Sequence, residues 1–330
     1  MRTTGDGKVC QCETFAAVTE RAALASGRWL GRGDIDGAAE SAISGMRAAL
    51  DLMPIEGRIV IGAGEEGSLL SVDSIVGGGG GNGGQPVDLA VDPLEGPSVV
   101  ARGGYGAMAM VAVGDPGTLP RLPQMYMRKM AVGPVARGRI DLSKPVAENV
   151  RAIAEALGRN PNDVTAIVLD RPRHHDLIEE LRQSGARIKL IQDGDVTSGI
   201  TAAIRGTNDH LAIGIGGARQ AVMAAAALRC LGGELQAQFW PVSRTEIEQA
   251  REHGFDDMEK VFTIEELAPR DVIVVATGVS TGDLLRGVRY LADSARTHSL
   301  VMCTRCNWVR FVDGIHFFAR ERREEIRLLG

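Results

Sequence analysis

From about residue 145 the chain settles into a helix–strand alternation, and this rhythm constrains the fold more than any other feature. Val146 to Leu157 carries Val150, Ile153 and Leu157 at helical spacing, and Val164 to Leu169 follows as a strand. A helix from Asp176 to Gln183, the strand Ile188 to Ile191, another helix and the strand Leu211 to Ile215 come next. The Ala-rich helix from about Arg219 to Leu231 and the strand Val272 to Ala276 continue the series. Such alternation predicts an α/β fold. Four of these strands end in short polar or glycine loops: Asp170 to His175, Asp193-Gly194-Asp195, Gly216-Gly217 and Thr277-Gly278. Any one of them is an ordinary αβ turn, but ligands of open α/β sheets bind at such carboxyl ends. Four together point to a site.

The first half is less regular. Helices are expected from about Thr14 to Leu30 and Gly37 to Leu52, and strands at Arg58 to Gly62, Ser68 to Val76 and Ala107 to Val113. Gly77 to Gly84 is nearly pure glycine and reads as a mobile hairpin connection, since no Lys-Ser/Thr follows to make a P-loop. Gln124 to Lys129 reads as a loop or edge. Between them, Val87 to Val91 is a buried strand delivering the chain to Asp92, with Pro93 and Gly96 punctuating a turn that carries Glu95. Asp-Pro-x-x-Gly is also common as a plain β-turn. Two carboxylates so placed can share one hard cation, and the amides opening the next segment can receive phosphate.

Arg171 and Arg173 flank Pro172, so a stiffened loop can aim two planar, bidentate donors at a phosphate. Asp193 and Asp195 suit the hydroxyls of a sugar. His174 and His175 could assist, although loop histidines are commonly just solvated. These loops suggest an anionic sugar as ligand. The net charge of −5 gives no electrostatic case for nucleic acid or an anionic membrane. Met1 to Glu13 lacks a hydrophobic run and no stretch is long and apolar enough to span a bilayer, so a cytosolic location is expected. The five cysteines include Cys10 and Cys12 as C-x-C and Cys303 and Cys306 as C-x-x-C. Four thiolates could make a structural zinc site if the chain ends met. The apolar, Trp-containing segment around Cys303 reads as a β-hairpin and weighs against it.

As a set, these residues resemble the class II fructose-1,6-bisphosphatases, within the lithium-sensitive sugar phosphatase group. The resemblance runs through nearly the whole chain. Its markers are Trp29 to Asp34, Val87 to Gly96, Met125-Tyr126-Met127, Pro172-Arg173-His174, Asp193-Gly194-Asp195, Gly214 to Ala218, Ala276-Thr277-Gly278 and Gly282 to Leu285. It implies a layered α/β/α/β/α fold, Mn²⁺ or Mg²⁺, and hydrolysis of the 1-phosphate of fructose 1,6-bisphosphate in gluconeogenesis. It also implies substrate contacts at Glu95, Gly96, Tyr126, Arg171, Arg173, Asp193, Gly194, Asp195 and Gly217. Asp92 and Glu95 are the implied catalytic metal ligands. We expect an N-terminal half, residues 1–145, carrying the acidic metal turn, and a C-terminal half, residues 146–330, carrying the sugar-phosphate loops. A homo-oligomer is expected.

The departures from the family pattern are specific. Ala39, Ala63 and Gln220 stand where the pattern has acidic metal ligands, Ile35 where it has lysine, and Pro97 where a threonine positions water. Only Asp92 and Glu95 survive among the acidic ligands, so the expectation is a reduced metal site with weakened or altered hydrolysis. The alternative is a phosphosugar-binding member that no longer hydrolyses. Glu40 adjoins Ala39, but one residue along a helix rotates a side chain by about 100°. Glu65, two residues from Ala63, is the better substitute.

Overall fold

The computed structural model describes residues 10–65, 67–78 and 84–318. The chain begins with α1 (Ala16–Ser26) and α2 (Ile35–Leu50), then β1 (Ile55–Ile61), β2 (Ile75–Val76) and β3 (Gln85–Glu95). Next come α3 (Pro97–Ala101), β4 (Met108–Gly114), β5 (Tyr126–Val132), α4 (Val146–Leu157) and β6 (Thr165–Leu169). They are followed by α5 (His175–Gln183), β7 (Arg187–Ile191), α6 (Asp195–Ala203), β8 (Leu211–Gly217), α7 (Ala218–Leu231) and β9 (Glu234–Trp240). The last elements are α8 (Arg244–Glu252), β10 (Val261–Thr263), α9 (Ile264–Leu267), β11 (Val272–Gly278), β12 (Arg289–Tyr290), β13 (Ser294–Cys303) and β14 (Trp308–Phe317).

Two sheets organise these elements. An eight-stranded sheet runs β12-β13-β11-β4-β3-β1-β2, with β14 paired to β13. A six-stranded sheet runs β10-β9-β5-β8-β6-β7. Period-two alternation explains how each buries two faces. On β3, Leu89 and Val91 pack with Val18, Ala22 and Met46 of the α1–α2 layer. Ala90 between them faces the other way, into a core with Ala221, Ala224 and Ala225 of α7. Met127 and Ala131 of β5 close that same core from the second sheet. The small side chains of α7 let two sheets approach one helix layer. Outside the second sheet, Val150, Ile153 and Leu181 of α4 and α5 pack on Val132, Ala166 and Val168. The order is α/β/α/β/α, the layering expected.

Several local expectations change. The segment 68–76 is not one strand: Leu70 forms an isolated bridge to Ala63, and only Ile75–Val76 pairs with β1. The glycine run does not close a hairpin, because β2 and β3 lie on opposite sides of β1; residues 79–83 themselves fall outside the described residues. Residues 126–129 do not lie at an edge, since β5 pairs with both β8 and β9. The sheets also do not divide at residue 145. β5 lies in the second sheet, and β11 to β14 complete the first. Among the described residues no helix is long and apolar enough to cross a membrane.

Candidate active site

β3 does not stop at Asp92. The ladder to β4 pairs Asp92 with Met110 and next pairs Glu95 with Met108, so an irregularity between them carries both carboxylates onward. Gly96 then turns the chain at φ 91°, a conformation that L side chains resist, and Pro97 opens α3 at a position where its missing N–H loses nothing. Burial, then the neighbouring charge of Asp193, pushes the Asp92 carboxyl up to about 7, against one amide donor from Leu94. Glu95 is 5% exposed and is held differently. It accepts N–H bonds from Val196 at 2.6 Å and Thr197 at 3.2 Å, together with the Thr197 hydroxyl. It therefore receives the first amides of α6, a helix end that favours an anion. Burial and Asp92 nevertheless push Glu95 up to about 8.

Across the cleft, β6, β7 and β8 present their carboxyl ends. Gly194, at φ 104°, turns the end of β7 into α6 and sets Asp193 and Asp195 to either side. Asp193 lies above the usual carboxylate range because it is buried, despite the Gly194 amide and the Arg171 charge. Asp195 forms an ion pair with Lys129 of β5, whose ammonium also donates to the Gly217 carbonyl at 3.2 Å. Arg171 donates to the carbonyls of Asp170 (2.9 Å) and Gln192 (2.5 Å). Arg173 grips the Ile215 carbonyl at 3.1 and 2.9 Å, and its guanidinium stacks 4.9 Å from the Tyr126 ring centroid. A β-carbon at Gly216 would lie 2.0 Å from the Asp195 carboxylate, so the site requires glycine there.

One cleft of about 280 Å³ is lined by Asp92, Glu95, Gly96, Tyr126, Arg171, Arg173, Asp193, Asp195 and Gly217. Gly194, the remaining expected contact, lines the adjoining cavity with Asp193. Pro97 and Gln220 also line the cleft, so two of the substituted positions stand in it. Ala39 and Ala63 do not, and Glu40 and Glu65 are exposed outside it. The histidines separate. His174 is fully buried, with Nδ1 donating to the Leu169 carbonyl and Nε2 accepting from the Ile215 N–H, each at 2.7 Å. His175 starts α5 and is exposed.

Two participants escape sequence reasoning. Lys129 carried a signal, as one of two adjacent cations, Arg128 and Lys129, inside the otherwise apolar run Met125 to Val132. Thr197 carried none, because its partner Glu95 lies 102 residues away. The donors fit a hard divalent cation: oxygen ligands only, with buried carboxylates whose repulsion such an ion relieves. Asp92 would hold it. Glu95 could contribute lone pairs not used by α6.

The family model described as bacterial fructose-1,6-bisphosphatase, glpX-encoded, matches residues 11–316. A Synechococcus sp. (strain JA-3-3Ab) protein named D-fructose 1,6-bisphosphatase class 2/sedoheptulose 1,7-bisphosphatase is 40% identical over 336 residues, covering 94% of this chain and 96% of its own. A protein of the same name from Microcystis aeruginosa (strain NIES-843 / IAM M-2473) is 38% identical over 343 residues, covering 94% and 97%.

Proposed function

Because the chain belongs to the glpX-type bacterial fructose-1,6-bisphosphatase family, we propose that its cleft hydrolyses one phosphate ester of a sugar bisphosphate. The substrate is fructose 1,6-bisphosphate or a related phosphosugar such as the sedoheptulose bisphosphate named for its relatives. Water attacks phosphorus, the bond from phosphorus to the sugar oxygen breaks, and that oxygen takes a proton as it leaves. Arg171 and Arg173 bind the anionic phosphate by planar donors, and Tyr126 flanks it. Asp193 accepts hydrogen bonds from the sugar hydroxyls. Glu95 positions the Asp193-Gly194-Asp195 turn by holding the start of α6, and Lys129 restrains Asp195. Asp92 would hold the Mn²⁺ or Mg²⁺, in a site reduced relative to the family pattern. Such a cation, when bound, would supply Lewis-acid stabilisation of phosphoryl charge. We further infer a cytosolic homo-oligomer, with Val309, Phe311, Ile315 and Phe317 along β14 as exposed apolar contact residues.

The observation that carries this reading is the convergence of the acidic strand end and the arginine loop on one cleft. The test is phosphate release from fructose 1,6- and sedoheptulose 1,7-bisphosphate with Mn²⁺ or Mg²⁺. Arg173→Ala should raise KM strongly, and Asp92→Asn should remove metal-dependent turnover. A second reading, phosphosugar binding without hydrolysis, is favoured by the neutral Gln220 and Pro97 in the cleft. Ligand-dependent thermal stabilisation without phosphate release would select it.

A further inference from the structure

The sulfur atoms of Cys10, Cys12, Cys303 and Cys306 all lie within 4.8 Å of one another. They come from the two ends of the described chain. Cys10 and Cys12 precede α1, Cys303 ends β13, and Cys306 sits in the turn before β14. The hairpin expected around Cys303 is present, and its turn is what offers both sulfurs to the N-terminal segment. We propose that these four cysteines bind one zinc ion, a structural site at the far end of the first sheet from the cleft.

The distances suit that ion. A tetrahedral zinc with bonds of about 2.3 Å places its sulfurs about 3.8 Å apart. Cys10 and Cys303 are separated by 3.7 Å and Cys12 and Cys306 by 3.8 Å. A polynuclear iron–sulfur cluster attaches its cysteines to different irons and needs a wider cage. All four are free thiols, and each sulfur has several near neighbours rather than one disulfide partner. Cys12 and Cys303, 2% and 1% exposed, belong to the core beneath α1 and α2, and the half-buried Cys10 and Cys306 pack against it.

Backbone amides are aimed at two of the sulfurs. The Cys306 amide donates to the Cys303 sulfur at 3.4 Å, and the Cys12 amide donates to the Cys10 sulfur, so each pair repeats one arrangement. Thr304, inside the C-x-x-C turn, accepts from the Val272 amide at 2.9 Å and donates to Asp271 at 2.8 Å. These bonds fix the turn on the start of β11. Arg305 lies close enough to Cys10 to feel its charge, and it offsets the negative charge of a four-thiolate zinc centre. Sheet register separates this site from the chemistry. Cys303 pairs with Ile273, whereas the cleft end of β11 is Gly278, level with Met108 and Glu95. The ion would staple the N-terminal segment to the terminal hairpin.

The test uses the full chain purified under a thiol reductant without chelator. Elemental analysis should find about one zinc per chain, retained in Asp92→Asn and lost in Cys306→Ser. Loading with Co²⁺ should give thiolate-to-cobalt charge-transfer bands, absent from Cys10→Ser. Zinc removal by a thiol-modifying reagent should lower the melting temperature. Four freely titrating thiols with no bound metal would overturn the proposal, as would bound iron or disulfides found by mass spectrometry. If the cysteine variants fail to fold, the metal count and cobalt spectrum of the unmodified chain decide the matter.

Discussion

His174→Ala is the perturbation whose size the structure best defines. The β6–β8 ladder ends at Ile167 and Ala212, and beyond it the two strands carry on without pairing to each other. The buried imidazole bridges the gap from the Leu169 carbonyl to the Ile215 amide. Gly214 makes room, since a β-carbon there would lie 3.1 Å from Nε2. Alanine strands one backbone donor and one acceptor, each worth about 1–3 kcal/mol when buried and unsatisfied. The expected loss is about 2–6 kcal/mol, a large share of a typical domain's 5–15. Urea unfolding at pH 8 should show a lower midpoint at unchanged slope. His174→Asn should recover the Leu169 half and His174→Gln the Ile215 half. Burial holds His174 below its ordinary pKa, so the folded chain keeps it neutral while the unfolded chain protonates near 6.5. Its stabilisation is complete above that pH and fades as pH falls toward the lower folded value. His174→Ala should flatten that acid-side slope. A loss under about 1 kcal/mol, with the slope intact, would show that the imidazole is not the bridge.

Three further outcomes are expected. Asp92 and Glu95 sit at about 7 and 8 when folded, so from roughly pH 4 upward the folded chain binds more protons than the unfolded one. Their contribution therefore declines as pH rises through that window, and the Mn²⁺-induced gain in melting temperature should be larger at about pH 8 than at about pH 5.5. Lys129→Met leaves the carboxylate of Asp195 without its ion pair and should cost about 3–5 kcal/mol, less in proportion to the 22% exposure of Asp195; adding Asp195→Asn should restore part of the urea midpoint. Gln220→Glu, Pro97→Thr, Ala39→Asp and Ala63→Glu together should raise Mn²⁺-dependent phosphate release, while single replacements do little; a folded quadruple variant no faster than the natural chain would refute the reduced-site reading.

What was legible in the sequence was local. The alternation after residue 145 gave β6, α5, β7, β8 and α7 within a few residues, because helical and strand periodicity are properties of short windows. The acidic turn and the arginine loop were legible for the same reason. Their convergence was carried by family resemblance, not by periodicity. Nothing in Gln124 to Lys129 says that β5 sits in the middle of a sheet, because both its partners lie more than 70 residues away. The capping of α6 by Glu95, the burial of His174 and the meeting of the cysteine pairs are long-range facts too. In each, one side chain's role depends on a segment elsewhere in the chain.

The first sheet draws β1 to β4 from one end of the chain and β11 to β14 from the other. During synthesis, therefore, β4 waits with an unpaired edge until β11 has left the ribosome, more than 150 residues later. At about 5–20 residues per second, that interval lasts on the order of ten to thirty seconds. An open, apolar strand edge is a template for wrong pairing throughout it. The six-stranded sheet, by contrast, is complete with β10 and can form first. A chain truncated after Thr263 should keep that second sheet but expose the β4 edge, and chaperone demand in cells should centre on the first sheet's late closure.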